Sequence, residues 1–229
     1  MTPYYSHAGI EIYHADCREI LPQLVVDAIV TDPVWPDCEH IFPGIDARLL
    51  LRQACEAARP KRLAIQIGCN SDPRFLEAVP SDLRFLRACY LPYTPSGYLG
   101  RLLRDADFAY IFGEPPPSKV GARVLPGTHM SVNSPRDGNI KRGWGRNRGD
   151  CVDEIAALEH PASRSLTHVR WLIKWFTSET DLVCDPFLGT GTSGVAAKNL
   201  CRRFVGIEIE EKYCEIAARR LSQDVFQFE

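Results

Sequence analysis

The 229-residue chain has no run of about 18 apolar residues and no charged-then-apolar leader, so neither a membrane span nor secretion is expected. The cytoplasm is the expected compartment. No C-x-x-C pair occurs either: nine cysteines stand singly at 17, 38, 55, 69, 89, 151, 184, 201 and 214. Several lie in apolar stretches and their number is odd, which argues against a complete disulfide framework and for reduced thiols. There is no internal repeat. Asp37, Cys38 and His40 lack a second cluster that would complete a metal site, so no metal is expected. Positive charge is not in surplus overall; the net charge of -2 taken alone disfavours a nucleic-acid partner. Hydrophobic residues at 45% suffice for a core, and the length suits one α/β domain or one domain with an insertion.

What is present centres on Asp181 to Glu210, DLVCDPFLGTGTSGVAAKNLCRRFVGIEIE. Leu182 to Cys184 read as a short apolar strand, and Gly189, Gly191 and Gly194 match G-x-G-x-x-G in the turn that follows. A short helix at Val195–Asn199 and a strand at Phe204–Ile209 come next, with Glu208 nineteen positions after Gly189. Strand, glycine turn, helix, strand and acid is the layout of a nucleotide-cofactor βαβ unit. No Lys-Ser/Thr pair closes the loop, and Lys198 lies well into the helix, so a Walker loop is excluded. A pyrophosphate at a helix N-terminus wants amide donors and no anion. Here Asp185 places a carboxylate at the mouth and Pro186 removes a donor. That combination suits a ligand carrying positive charge, such as the sulfonium and ammonium groups of S-adenosylmethionine.

Along the chain, GIEIYHAD at 9–16 alternates as a strand does and ends in Asp16, whose plain reading is a turn residue. Val25–Thr31 is apolar enough for a buried parallel strand and runs into Asp32-Pro33-Val34-Trp35-Pro36. Ligands of open α/β sheets bind at such strand ends, so this segment is a candidate site rather than a rigid loop. Residues 46–58 read as a helix stopped by Pro60, and 62–68 as a strand. Two more strands are expected at 83–91 and 107–114, with a turn and a short helix between them. From Ser118 to Gly149 the composition changes. Lys119, Arg123, Arg136, Lys141, Arg142, Arg146 and Arg148 face a single acid, Asp137, among Gly, Pro, Ser and Asn, with Trp144 in their midst. One-sided charge with an aromatic on an inserted loop is what phosphate contacts and base stacking require. Ser165 can cap a helix with Leu166, Val169, Ile173 and Phe176 on one face. A last helix, Glu211–Leu221, carries Tyr213, Ile216, Ala217 and Leu221 at core spacing.

Together these segments resemble the DNA amino-methyltransferases, which make N6-methyladenine or N4-methylcytosine, in the permuted β arrangement with the catalytic motif first and the cofactor loop last. The resemblance lies in YHADCREIL at 13–21, Asp32-Pro33-Val34-Trp35, HPASRSL at 160–166, DPFLGTGT at 185–192 and FVGIEIEEKYCEIAARRL at 204–221. It implies a Rossmann-like α/β fold: a seven-stranded, mostly parallel sheet with helices on both faces, the strand at 9–16 lying beside the C-terminal ones. Residues 1–114 and 160–229 would form the catalytic and S-adenosylmethionine-binding domain, and 115–159 an inserted basic target-recognition region. Asp16 and Cys17 would meet the cofactor's adenine and Glu208 its ribose. Asp32, Asp185, Phe187, Gly189, Thr190, Gly191 and Thr192 would line its methionine half, with Ser165 at the carboxylate. Asp32, Pro33, Val34 and Trp35 would be catalytic.

The family has D-P-P-Y or S-P-P-Y at 32–35, so Val34 replaces a stiffening proline, and Arg164-Ser165 stands where Lys-Pro is common. Asp rather than Ser at position 32 leans toward adenine over cytosine. DNA is the implied partner, and the short recognition region suggests either a short target or a homodimer. A restriction nuclease partner is not specified. Three other readings stand beside it: cytosine-N4 transfer, a nicotinamide-dependent oxidoreductase, and a non-catalytic cofactor-binding module on nucleic acid. The oxidoreductase accounts for the glycines and Glu208 but leaves Asp32–Trp35 and the basic loop unexplained.

Overall fold

The computed structural model describes residues 2–34, 44, 46–99, 101–118, 124–132 and 164–223. Trp35 and all eight expected nucleic-acid contacts (Lys119, Arg123, Arg136, Lys141, Arg142, Trp144, Arg146 and Arg148) lie outside them.

Strands β1 (Tyr5–His7) and β2 (Ile10–His14) form a hairpin whose two-residue turn, Ala8-Gly9, has both φ angles positive. That geometry matches the right-handed twist of the strands it joins. A single-turn helix α1 (Cys17–Ile20) follows, then β3 (Ala28–Thr31), α2 (Ala47–Ala58) and β4 (Arg62–Gly68). Asp46 caps α2 by accepting the Leu49 amide, and the helix stops at Arg59 in the left-handed conformation, one residue before Pro60. A long hairpin comes next, β5 (Phe85–Leu99) and β6 (Leu102–Gly113), then the short β7 (Ser131–Val132). The chain closes with α3 (Leu166–Phe176), β8 (Leu182–Asp185), α4 (Thr192–Asn199), β9 (Arg203–Glu208) and α5 (Glu211–Ser222).

The sheet order is β1-β2-β9-β8-β3-β4-β6-β5-β7. From β2 to β4 every pairing is parallel, and β6 runs antiparallel to both of its neighbours. The seven interior strands form the expected mostly parallel sheet, and β1 and β7 extend its edges. The permutation is closed in space: Ile10–His14 pairs in register with Phe204–Glu208.

Successive strand residues point to opposite faces, and the core divides accordingly. Val30, Ala64, Val183 and Phe204 pack with α3, α4 and α5 on one face. Ile29, Leu63, Ile65, Cys184, Val205 and Ile207 pack with α1 and α2 on the other. Strands buried on both faces are predominantly apolar, which is why β3, β4 and β8 read as hydrophobic runs rather than alternations, with the buried Arg62 and Gln66 of β4 bonded to Asp181 and Asp107.

Two expectations are corrected. The strand expected at 25–31 begins only at Ala28, and Val25 is 87% exposed. Asp27 fixes the entry: its carboxylate accepts the Leu182 amide at 3.0 Å and the Lys61 ammonium at 2.8 Å, anchoring the chain just before β3. The turn and short helix expected between 91 and 107 are instead strand, with only Gly100 and Arg101 between β5 and β6. Pro92 and Pro95 argue against strand, since proline cannot donate to a ladder. The pairing absorbs them in an irregularity between Pro92 and Gly97, where Tyr93 and Thr94 pair with β7 instead. Residues 124–132, inside the region assigned to target recognition, thus run along β5, and Tyr90 donates its amide to the Gly127 carbonyl. Among the described residues no helix is long and apolar enough to cross a membrane.

Candidate functional site

Four parallel strands end side by side, and each delivers a carboxylate. Asp16 follows β2, Glu208 ends β9, Asp185 ends β8 and Asp32 follows β3. They surround a cavity of about 440 Å³ whose wall includes all four, together with Cys17, Pro33, Val34, Phe187, Gly189, Thr190 and Thr192. The carboxyl edge of an open parallel sheet is where a crevice is expected, because the loops leave each strand toward opposite faces there.

The glycine turn is built around two left-handed residues, Gly189 (φ 54) and Gly191 (φ 85). Gly191 does not line the cavity. A Cβ there would lie 2.7 Å from the Cβ of Ala217, so this glycine serves the close approach of α5. The helix that follows begins at Thr192, three residues earlier than its apolar pattern implied, directly out of the turn. Arg220 of α5 braces the turn from behind: its buried guanidinium donates to the Thr190 carbonyl at 2.5 Å.

Asp185 is almost wholly buried. It accepts the Thr31 hydroxyl at 2.7 Å, the Ser193 hydroxyl at 2.6 Å and the Phe187 amide at 3.1 Å. Burial raises its pKa and those donors work against the rise. Glu208 accepts the Gly189 amide at 2.8 Å and the Glu210 amide at 2.9 Å, and burial raises its pKa too. Neither acid has a cationic partner among these bonds. Each retains lone pairs beyond those its donors use, because an ionised carboxylate offers about four acceptor sites.

Asp16 caps α1 through the Arg18 amide and also carries an ion pair with the Arg18 side chain at 2.5 Å. The hydrogen bonds from Arg18 hold its pKa down, against a smaller effect of burial. Asp16 thus both caps α1 and lines the cavity. Cys17 is buried beside it, and desolvation pushes its thiol up to about 12, so it stays protonated.

Ser165 occupies the N-cap position of α3 but makes no capping bond with its side chain. Its hydroxyl lies 2.9 Å from that of Ser131, buried, and it is not among the residues that line the cavity. The preceding residue, Arg164, takes that place. Its Nε donates to Asp32 at 2.5 Å and its Nη1 to Asp107 at 3.3 Å, and Gln66 donates to the same Asp107 oxygen at 3.1 Å. Sequence reasoning noted Arg164 only as a departure from Lys-Pro, since its partners lie 132 and 57 residues away. Gln53 of α2 was missed as well. Tyr213, read as a core position, is half-buried and forms part of the cavity wall. Its helical spacing is that of the apolar face, but the first turn of α5 meets the cavity, whereas Ile216, Ala217 and Leu221 meet the core. Among the described residues no group of three or more His, Cys, Asp or Glu could hold a metal ion.

A cavity with a glycine turn, a buried acid on each neighbouring strand and an Asp-Pro at its far wall suits a nucleoside-like ligand bearing positive charge, next to a second reactant. A family model described as DNA methylase matches residues 105–219, half of the chain. The chain is 43% identical over 68 residues to the type II methyltransferase M2.DpnII of Streptococcus pneumoniae, a stretch that is 30% of this chain and 25% of that one. It is 38% identical over 71 residues to the type II methyltransferase M.HinfI of Haemophilus influenzae, 31% of this chain and 20% of that one. The matched stretches thus span a quarter or less of these curated relatives. The fold is similar over far more of the chain. The M1.HpyAVI–SAM complex superposes with a TM-score of 0.64 at 24% identity, covering 93% of this chain and 100% of that one. The PvuII DNA methyltransferase (cytosine-N4-specific) superposes with a TM-score of 0.65 at 15% identity, covering 98% and 90%. At these identities the likeness shows the fold.

Proposed function

Since this chain belongs to the DNA methylase family, we propose that it transfers a methyl group from S-adenosylmethionine to the exocyclic N6 amine of adenine in DNA. One observation carries the reading: Asp32-Pro33, at the end of β3, opens into the same cavity as the glycine turn at the end of β8.

The residues present fit such a cofactor. Glu208, held by two backbone amides, has remaining lone pairs for ribose hydroxyls, and Asp16 with Cys17 stands at the next strand end for an adenine ring. Asp185 and the turn Phe187–Thr192 face the cationic half, where a buried carboxylate without a cationic partner among its bonds is electrostatically complementary. The carboxylate end is left to the amides of the helix N-terminus that follows Ser165, since the Ser165 hydroxyl itself is bonded to Ser131 outside the cavity. When bound, the cofactor would supply an electrophilic methyl group on sulfur: as the N–C bond forms the S–C bond breaks, the sulfur leaves as a neutral thioether, and the methylated amine loses one N–H proton along its hydrogen bond to Asp32.

The chain's own residues handle the acceptor. An exocyclic amine of adenine is a weak nucleophile because its lone pair is delocalised into the ring. Asp32 and the Pro33 carbonyl accept its two N–H bonds, which favours a pyramidal nitrogen and aims the lone pair toward the methyl group. Trp35 stacks on a base that has left the duplex, and residues 115–159, with their one-sided charge, grip the DNA backbone. Val34, in place of a second proline, leaves the loop less stiff than the family pattern.

A second reading is N4 transfer to cytosine. The same carboxylate and carbonyl serve that amine, and the fold likeness to a cytosine-N4-specific enzyme favours keeping it in view. The test is to incubate the protein with S-adenosylmethionine and unmethylated mixed-sequence DNA, digest to nucleosides and analyse by mass spectrometry. N6-methyladenine is the expected product. N4-methylcytosine would overturn the base assignment alone, and no methylated base from a cofactor-binding protein would overturn the reaction.

A further inference from the structure

Behind the Asp32-Pro33 motif lies a buried charge arrangement centred on Arg164. The Arg164 side chain is 5% exposed. Its guanidinium is shared: Nε donates to Oδ2 of Asp32 and Nη1 to Oδ2 of Asp107. Asp107, on β6, has its side chain 7% exposed and takes a further hydrogen bond from Gln66 of β4. Burial opposes the arginine's charge, yet the two carboxylates together raise its pKa. A buried ion pair is a poor device for stability, since well-packed apolar residues serve as well or better. What it does supply is direction. A planar guanidinium fixes the plane and distance of the carboxylates on its edges, which an ammonium on a flexible stem does not.

We propose that Arg164 is a positioning residue for methyl transfer: by bridging Asp32 to Asp107 it locks the Asp32 carboxylate in the orientation that accepts the target amine. The inference rests on the methyl-transfer reading above and goes one step past it. Asp32, 24% exposed, sits on a loop that lacks the family's second proline. Stiffness lost from the backbone is restored through the side chain. β6, a rigid interior strand, bears the far end of the bridge at Asp107, in register with Gly68 of β4.

The experiment measures kcat, KM for DNA, cofactor Kd and the pH profile of kcat for four proteins. They are the wild type, Arg164→Lys, Arg164→Met and the double variant Arg164→Met/Asp107→Asn. Arg164→Lys keeps the charge but not the fork and is expected to lose about tenfold in kcat, and Arg164→Met about a hundredfold, with cofactor Kd within about threefold in both. The acid limb of the pH profile should move to higher pH in Arg164→Met, because a carboxylate deprived of its cation ionises at higher pH. The double variant removes a carboxylate along with the guanidinium and so relieves the unpaired buried charge that could unfold Arg164→Met. Its kcat should stay low while cofactor binding is normal. A double variant with wild-type kcat, or an Arg164→Lys protein with unchanged kcat and pH profile, would show that Arg164 only neutralises Asp107 and overturn the inference alone. A wild type that binds cofactor but methylates no DNA overturns the reaction and this inference together.

Discussion

The two halves of the cavity hold their carboxylates by opposite means. Along β8 and β9, Asp185 and Glu208 are bonded by hydroxyls and backbone amides, which are neutral. At the end of β3, Asp32 is bonded by a guanidinium that it shares with Asp107. Neutral donors occupy part of a carboxylate's lone pairs and leave its charge in place; a cation also offsets charge, here one unit of the two that Asp32 and Asp107 carry. The first arrangement keeps a field for a positively charged ligand. The second, one guanidinium between two carboxylates, keeps one net negative charge and chiefly fixes a direction, which is what a neutral amine would require. One half attracts and the other aims.

Breaking the aiming half should have the larger effect. Asp32→Ala removes the proposed acceptor of the target amine while leaving Arg164 its partner Asp107, so the fold and cofactor binding should persist. The expected loss in kcat is about a thousandfold, measured as methyl incorporation at saturating cofactor, with Kd from calorimetry. Unchanged transfer would remove Asp32 from the chemistry. On the attracting half, Glu208→Gln puts an amide donor against a backbone N–H, at either Gly189 or Glu210. Cofactor Kd should weaken by about tenfold, with kcat at saturation nearly unchanged. An equal loss in kcat would mean that the two halves do not divide the work in this way.

The smallest effect is the dependence of cofactor binding on pH. Asp185 and Glu208 have folded pKa values raised by burial above 3.8 and 4.5. In the free protein each therefore takes up protons at a higher pH than its unfolded counterpart, and its ionised form costs stability above that window. A cationic ligand favours the ionised form. Binding should thus release protons, and affinity should rise as pH climbs through the window just above those ordinary values. Calorimetry in buffers of different ionisation enthalpy measures the release; proton uptake would reverse the sign and the assignment of the charge.

Much of the attracting half was legible in the sequence because it is contiguous. Asp185, the glycine turn and Glu208 fall within one βαβ unit, and apolar runs such as 62–68 announce strands buried on both faces. The aiming half was legible only in its motif. Asp32 and Pro33 could be read; the bridge could not, because Arg164, Asp107 and Gln66 come from three elements brought together by strand order. The length of the β5–β6 hairpin was hidden for a related reason. Local proline chemistry at 92 and 95 spoke against strand, and only the partner strands supply the pairing that overrides it. Tyr213 shows the limit of periodicity, which identifies an apolar face but not where that face stops being core.

The parallel pairing of β2 with β9 has a consequence in time. Asp16 and Glu208 become neighbours only because His14 registers with Glu208, across nearly the whole chain. Synthesis proceeds from the N-terminus, so β2 leaves the ribosome long before the strand that will cover its inner edge. Until β9 emerges, β2 has only β1 beside it among the described strands, and the Asp16 side of the crevice has one wall. Capacity to hold the proposed cofactor would therefore be acquired late, only once β9 has been made.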